Sequence, residues 1–143
     1  MDELDRKIIA LLQLDGRASN AKIAREVGVT QSTVRRRLSR LLEEDFIEIR
    51  AVPNLAKLGY TTTALIGLRT MPAKQEAVAD GAARLEEVHY VAITTGAYDI
   101  FLWVAMESAE QLGRFLRLKL GSIEGIRHSE TFVNLSLKKL PTG

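Results

Sequence analysis

The sequence predicts an α+β chain in two parts, and three observations carry the prediction. Apolar residues recur at helical spacing three times before Asp45. They alternate with a two-residue period just after it. From Tyr60 onward, β-rich and amphipathic runs follow one another in the order β-α-β-β-α-β. The chain has 143 residues, 46% of them apolar and 27% charged, which suits one folded domain or two small ones.

The first part reads as three helices. Leu4, Ile8, Leu11 and Leu12 share one helical face, with Asp2 able to cap its start and Asp15-Gly16 stopping it. Ser19 suits the N-cap of a second helix that turns Ile23, Ala24 and Val27 inward, and Gly28 supplies a left-handed terminus. Thr30 caps a third helix running to about Asp45, whose apolar face is Val34, Leu38, Leu41 and Leu42. Only Gly28-Val29-Thr30 separates helices two and three, the spacing of a helix-turn-helix over about residues 20–41. Ile47, Ile49 and Ala51 then alternate with Glu48 and Arg50, the pattern of a strand. Such a strand reads as a wing whose Arg50 meets phosphate, as a link between domains, or as a segment that pairs with its symmetry mate. Pro53 ends it.

A helix-turn-helix domain is therefore expected at residues 1–52, a linker at 53–59 and a second domain at 60–143. In the second domain Tyr60–Arg69 reads as a strand, and Pro72 suits the first turn of a helix burying Val78, Ala82 and Leu85. Val88–Thr95 reads as a second strand, Gly96-Ala97-Tyr98-Asp99 as a turn and Ile100–Met106 as a buried strand. Ser108-Ala109-Glu110-Gln111 forms a capping box before a helix that buries Leu112, Phe115, Leu116 and Leu120 and stops at Gly121. Ile126–Lys138 reads as a long last strand. This order is that of a ferredoxin-like βαββαβ domain, an antiparallel sheet with two helices on one face.

Composition narrows the chemistry. The absence of Cys excludes disulfides, thiolate zinc sites, iron–sulfur clusters and a Cys nucleophile. No apolar run approaches the ~20 residues of a membrane span. The acidic start Met1-Asp2-Glu3-Leu4-Asp5 lacks the basic and apolar stretches of a signal peptide, so a cytoplasmic protein is expected. His89 and His128 lie far apart in sequence and supply no third ligand, so no metal is expected. Neither a cofactor nor an enzyme is expected: Ser108 is explained as a helix cap, and Glu86-Glu87 as solvated at a helix end. Phe101 and Trp103 read as core or subunit interface.

Net charge is only +2, but it is unevenly placed. From Arg17 to Arg40 there are seven basic residues against Glu26 alone. Such a patch can meet polyphosphate while the whole chain stays nearly neutral. On a helical wheel Ser32, Thr33, Arg36 and Arg40 lie opposite the apolar face of the third helix, flanked by Arg35 and Arg37. With Gln31, these seven are the expected DNA-binding residues. Hydroxyls and amides bond base edges or phosphates, and arginines fork onto guanine or phosphate oxygens. A second candidate is Thr95-Gly96-Ala97-Tyr98-Asp99. A glycine lets backbone approach a ligand, and Asp99 could meet an ammonium group. Read from the residues alone, though, this is an ordinary β-turn in which Asp99 bonds its own backbone and Tyr98 packs.

Over nearly its whole length the chain resembles the Lrp/AsnC (feast/famine) family of transcriptional regulators. The matching stretches are Leu4–Leu12, Asp15-Gly16-Arg17, Ile23–Thr30 followed by Val34–Leu41, the turn Thr95–Asp99, and Glu130-Thr131. The pair Asp45-Phe46 departs from the Gly-Val or Gly-Ile that many members carry there. The resemblance implies a winged helix-turn-helix joined to a ferredoxin-like sensing domain that dimerises and commonly assembles into octamers. It also implies an effector, often an amino acid, bound between sensing domains by Thr95, Gly96, Ala97, Tyr98, Asp99 and Thr131. The partners so implied are double-stranded DNA carrying a roughly palindromic operator, a small effector and further copies of the chain. A tetrapyrrole enzyme of the same architecture, like the siroheme decarboxylases, is the alternative, with His89, Arg127 and His128 as its candidates. The arginine-bearing third helix argues against it.

Overall fold

The computed structural model describes residues 1–140, which fall into two compact units, residues 1–52 and the chain from Pro53 onward. In the first unit, α1 spans Glu3–Leu14, α2 Asn20–Val27 and α3 Gln31–Glu43. Asp2 and Asp5 form a reciprocal capping box at the start of α1. Ser19 Oγ accepts from Lys22 N, Thr30 Oγ1 accepts from Thr33 N, and Gly28 adopts φ 76°. Each expected cap is thus in place. Ile8, Ile23, Ala24, Val34 and Leu41 form the buried centre, and Leu4, Leu11, Leu12, Val27 and Ile47 pack around it. Leu42, expected on the apolar face, is 38% exposed.

The strand expected after Asp45 is absent. Residues 46–52 run without a hydrogen-bonded partner strand, and Phe46, Ile49 and Val52 lie exposed. The alternation is there, but a strand needs a ladder, and no segment among the described residues supplies one. The helix ends instead in a Schellman motif: Phe46 N donates to Leu41 O, and Asp45 N to Leu42 O. Asp45 takes the left-handed position (φ 57°) that glycine ordinarily fills.

In the second unit, β1 (Thr62–Thr70), β2 (Val88–Ile93), β3 (Ile100–Met106) and β4 (Ile126–Val133) form an antiparallel sheet in the order β2-β3-β1-β4. Helices α4 (Gln75–Ala83) and α5 (Ala109–Arg114) cover one face. Ala64, Ile66 and Leu68 of β1 and Ile100, Leu102, Val104 and Met106 of β3 meet Val78, Ala82, Leu112, Phe115 and Leu120 there. This is the ferredoxin-like arrangement expected from the element order.

Several boundaries differ from expectation, each for a local reason. Residues 54–60 form a hydrogen-bonded turn, with Tyr60 N donating to Leu55 O, rather than an open linker. Pro72 sits in a turn before α4, where Ala73 has φ 63°, and the helix starts only at Gln75. Gln111 returns its side chain to Glu107 N, one residue earlier than the capping-box pattern implies. After α5, Phe115–Lys119 make a π-helical turn, in which Leu120 N reaches Phe115 O. Gly121 lies inside the 3-10 turn Leu120–Ser122, and the reversal belongs to Gly125 (φ 101°). Finally, β4 ends at Val133 rather than Lys138. Val133 pairs with Ala64 and Asn134 N still reaches Thr63 O, which leaves only Thr62 of β1, too little strand to pair residues as far as Lys138. Residues 135–140 are exposed. The last expected domain residues, 141–143, lie outside the described part.

Candidate functional site

In the first unit the seven expected residues of α3 do not share one environment. Gln31, Ser32, Arg35, Arg36 and Arg40 are exposed, and Thr33 and Arg37 are half-buried. Thr30 Oγ1 lies 3.2 Å from Ser32 Oγ and 2.9 Å from Thr33 Oγ1, so these hydroxyls belong to the cap network. Arg37 Nη1 donates to Asp2 Oδ2 (2.5 Å) and Asp5 Oδ1 (3.3 Å), and Arg40 Nη2 donates to Asp5 Oδ2 (2.8 Å). The Arg37 hydrogen bond is the main reason Asp2 is held down at a pKa of about 2, and Arg37 is itself raised, chiefly by Asp2. Gln31, Arg35 and Arg36 have no side-chain partner among the described residues and stand on adjacent turns of the exposed face.

In the second unit the turn between β2 and β3 is tied down at its base and open at its tip. Thr94 N donates to Asp99 O (2.9 Å) and Thr94 Oγ1 to Tyr98 O (3.2 Å). Asp99 does not bond its own turn through its side chain. Its Oδ2 accepts from Thr70 N (2.8 Å) and Thr70 Oγ1 (3.4 Å) at the end of β1, while Asp99 N donates to Leu68 O (2.8 Å). Thr95, Gly96 (φ 100°) and Ala97 form the exposed tip. Tyr98 lies over the helix-free face of the sheet. Its ring covers Gly67, where an added Cβ would stand 2.8 Å from Cγ and Cδ1. It meets Phe101 and Phe132 edge-on, with centroids 5.4 and 6.5 Å away, and the Arg69 guanidinium lies 5.8 Å from its ring centre. The Tyr98 hydroxyl donates to Glu130 Oε1, which raises the Tyr98 pKa above its ordinary value.

Thr131 stands opposite Ile66, while Glu130 stands opposite Gly67. Strand alternation therefore sends the Thr131 side chain to the face away from Tyr98. Sequence reasoning missed Gly67, Arg69 and Glu130, which position Tyr98, and Asp5, which engages α3. The Asp2 cap could be read in the sequence, but the arginine partners of Asp2 and Asp5 lie more than thirty residues away. His89 and His128 sit on β2 and β4, the opposite edges of the sheet, ~14 Å apart by strand spacing, so they share no site. No cluster of three metal-ligating side chains occurs among the described residues, and none of their helices is long and apolar enough to cross a membrane.

A braced, arginine-bearing third helix in one unit and an exposed turn on an α+β sheet in the other fit a helix-turn-helix transcriptional regulator with a separate ligand-binding domain. Family models match in that order: an AsnC-type helix-turn-helix domain over residues 1–42 and a Lrp/AsnC ligand binding domain over residues 63–142. The chain belongs to the Lrp/AsnC family. It is 43% identical over 140 residues to an HTH-type transcriptional regulator of Pyrococcus abyssi, covering 97% of this chain and 89% of that one. It is 34% identical over 143 residues to the HTH-type transcriptional regulator FL11 of Pyrococcus furiosus, covering 99% and 94%. Among solved structures, Escherichia coli AsnC superposes with a TM-score of 0.90 at 28% identity, covering 99% of this chain and 97% of that one. A Neisseria meningitidis transcriptional regulator in complex with L-Met shares the fold (TM-score 0.90, 24% identity, coverage 99% and 94%). These relatives are transcriptional regulators, not enzymes.

Proposed function

We propose that the protein is a sequence-specific regulator whose grip on DNA is set by a small effector, an amino acid, and that it works as a homo-oligomer in the cytoplasm. One observation carries the DNA reading. On a helix whose other arginines are anchored, Gln31, Arg35 and Arg36 project free from one face. A neutral Gln and two guanidiniums at this spacing suit adenine and guanine edges and the flanking phosphates. A dimer would set two such helices at half-sites ~34 Å apart, so the operator should be roughly palindromic.

The effector reading rests on the open tip Thr95-Gly96-Ala97, with the L-Met complex of the Neisseria regulator as its precedent. Backbone groups at the tip suit a carboxylate, and the edge of Asp99 not used by Thr70 suits an ammonium. Self-association is supported by the sheet face opposite the helices. There Tyr90 and Phe132 are 51% and 45% exposed beside the half-buried Phe101, Trp103 and Leu65. It is also supported by residues 46–52, whose alternating pattern lacks a partner among the described residues and would gain one from a second copy. Octamers of such dimers would place the turns of neighbouring dimers close together, and Thr131 would then be supplied by another subunit.

The test begins with selection of bound duplexes from a random DNA pool at two salt concentrations. A recovered palindrome supports the reading and provides the probe for an amino-acid screen. Binding that yields no motif and vanishes as salt rises would leave only a basic surface, and the regulator would need another specificity element.

A further inference from the structure

Asp5 is the only acidic side chain in the first unit that is fully buried, and it is also the most connected. Its carboxylate accepts from Asp2 N (3.1 Å), Arg37 Nη1 and Arg40 Nη2, and Asp2 takes a second bond from Arg37. Arg37 and Arg40 are three residues apart on α3, so the two contacts fasten one side of that helix to the N-terminus of α1. The carboxylates also sit where the α1 dipole favours negative charge. A DNA phosphate that drew off both arginines would leave the buried carboxylate uncompensated, which is strongly unfavourable.

We infer that Asp5 is a positioning residue for DNA recognition. With Asp2 it withholds Arg37 and Arg40 from the phosphates and fixes the rotation of α3, so that Gln31, Arg35 and Arg36 face the groove. The inference rests on the reading of α3 as the DNA-facing helix. It divides the basic run Arg35–Arg40 into two working arginines and two structural ones, a division invisible in a helical wheel that puts Arg40 beside Arg36.

The experiment measures the slope of log binding constant against log salt on a fixed non-specific duplex. It also measures discrimination between that duplex and one recovered by selection. Each phosphate contact contributes a slope of about 0.9. Arg37→Gln and Arg40→Gln should leave the slope unchanged. Asp5→Asn should steepen it by about 0.9 or more as the arginines are released, and should lower discrimination at least tenfold. Adding Arg37→Gln and Arg40→Gln to Asp5→Asn should return the slope to its original value, which loss of structure alone would not do. Circular dichroism checks that each variant is folded. If Asp5→Asn does not fold, the two arginine variants still decide. A slope reduced by about 0.9 in Arg40→Gln overturns the inference, because Arg40 then meets phosphate directly. An Asp5→Asn protein with native slope and native discrimination overturns it too. If Arg35→Gln and Arg36→Gln also leave slope and discrimination unchanged, the DNA-facing role of α3 fails, and the inference fails with it.

Discussion

Replacing Gly67 by Ala tests whether Tyr98 is held where the structure shows it. Gly67 is in the middle of β1, paired with Phe101 and Glu130, and its φ is not the reason for the glycine. The reason is overhead: a Cβ there would lie 2.8 Å from two atoms of the Tyr98 ring and 3.0 Å from a third, against 3.4 Å for ordinary contact. The ring must lift, giving up its bond to Glu130 and its edge contacts with Phe101 and Phe132. Overpacking of this kind costs about 1–3 kcal/mol. It is partly offset by the ~0.5–1 kcal/mol that alanine gains over glycine in a strand interior. Gly67→Ala should therefore destabilise the second unit, whereas in a Tyr98→Ala background the same change should be neutral or stabilising. Trp103, the only tryptophan, lies on β3 beside this site and reports the unfolding of this unit by fluorescence in urea at one fixed protein concentration. The coupling from the four proteins should be about 1–3 kcal/mol. Effects that simply add, to within about 0.5 kcal/mol, would show that the ring does not rest on Gly67.

Three further outcomes are expected. Asp45→Gly should stabilise the first unit by up to about 1 kcal/mol, because Asp45 holds a left-handed conformation that costs a side-chain-bearing residue about that much; thermal unfolding measures it, and a loss of stability would contradict the cap. Asp2 has its pKa lowered to about 2, so its contribution is present above pH 4 and disappears as pH falls from about 4 toward 2. Arg37→Gln should flatten that part of the acid-unfolding profile of the first unit. Asp99→Ala should lose about 1–3 kcal/mol with the bonds to Thr70, while Asp99→Asn keeps an acceptor there. An Asp99→Asn protein that is stable yet deaf to an effector identified by screening would assign the carboxylate to the ligand, and an undiminished response would remove it from the site.

Much of the fold was legible because its determinants are local. Asp2, Ser19, Thr30 and Ser108 cap helices through residues three positions away, and Gly28 ends α2 by its own conformation. What sequence could not show was set by partners remote in the chain. The Ile47-Ile49-Ala51 pattern looked like a strand, but alternation says nothing about whether a neighbouring strand exists. The last strand stops short of Lys138 because β1 begins at Thr62 and offers nothing beyond it to pair. The candidate sites divide the same way. The identities of Arg35, Arg36 and the Gly96 turn could be read directly. The withdrawal of Arg37 and Arg40 by Asp5, and the reach of Tyr98 across Gly67 to Glu130, are contacts over thirty residues or more.

The π-helical turn after α5 bears on how long this chain needs to be. Phe115 and Leu120 are both 2% exposed and both belong to the sheet-facing core, yet residues five apart in a regular α-helix point well away from each other. The wide turn, closed by Leu120 N on Phe115 O, accommodates one surplus residue between them. Leu118, 67% exposed, is the natural candidate for that surplus. A chain shortened by this one residue would place Phe115 and Leu120 four apart, the spacing at which an α-helix puts them on one face. Lys119, which pairs with Glu87, would still stand next to Leu120. Deletion inside a helix ordinarily throws everything after it out of register; here it would make the helix regular and leave the core in step.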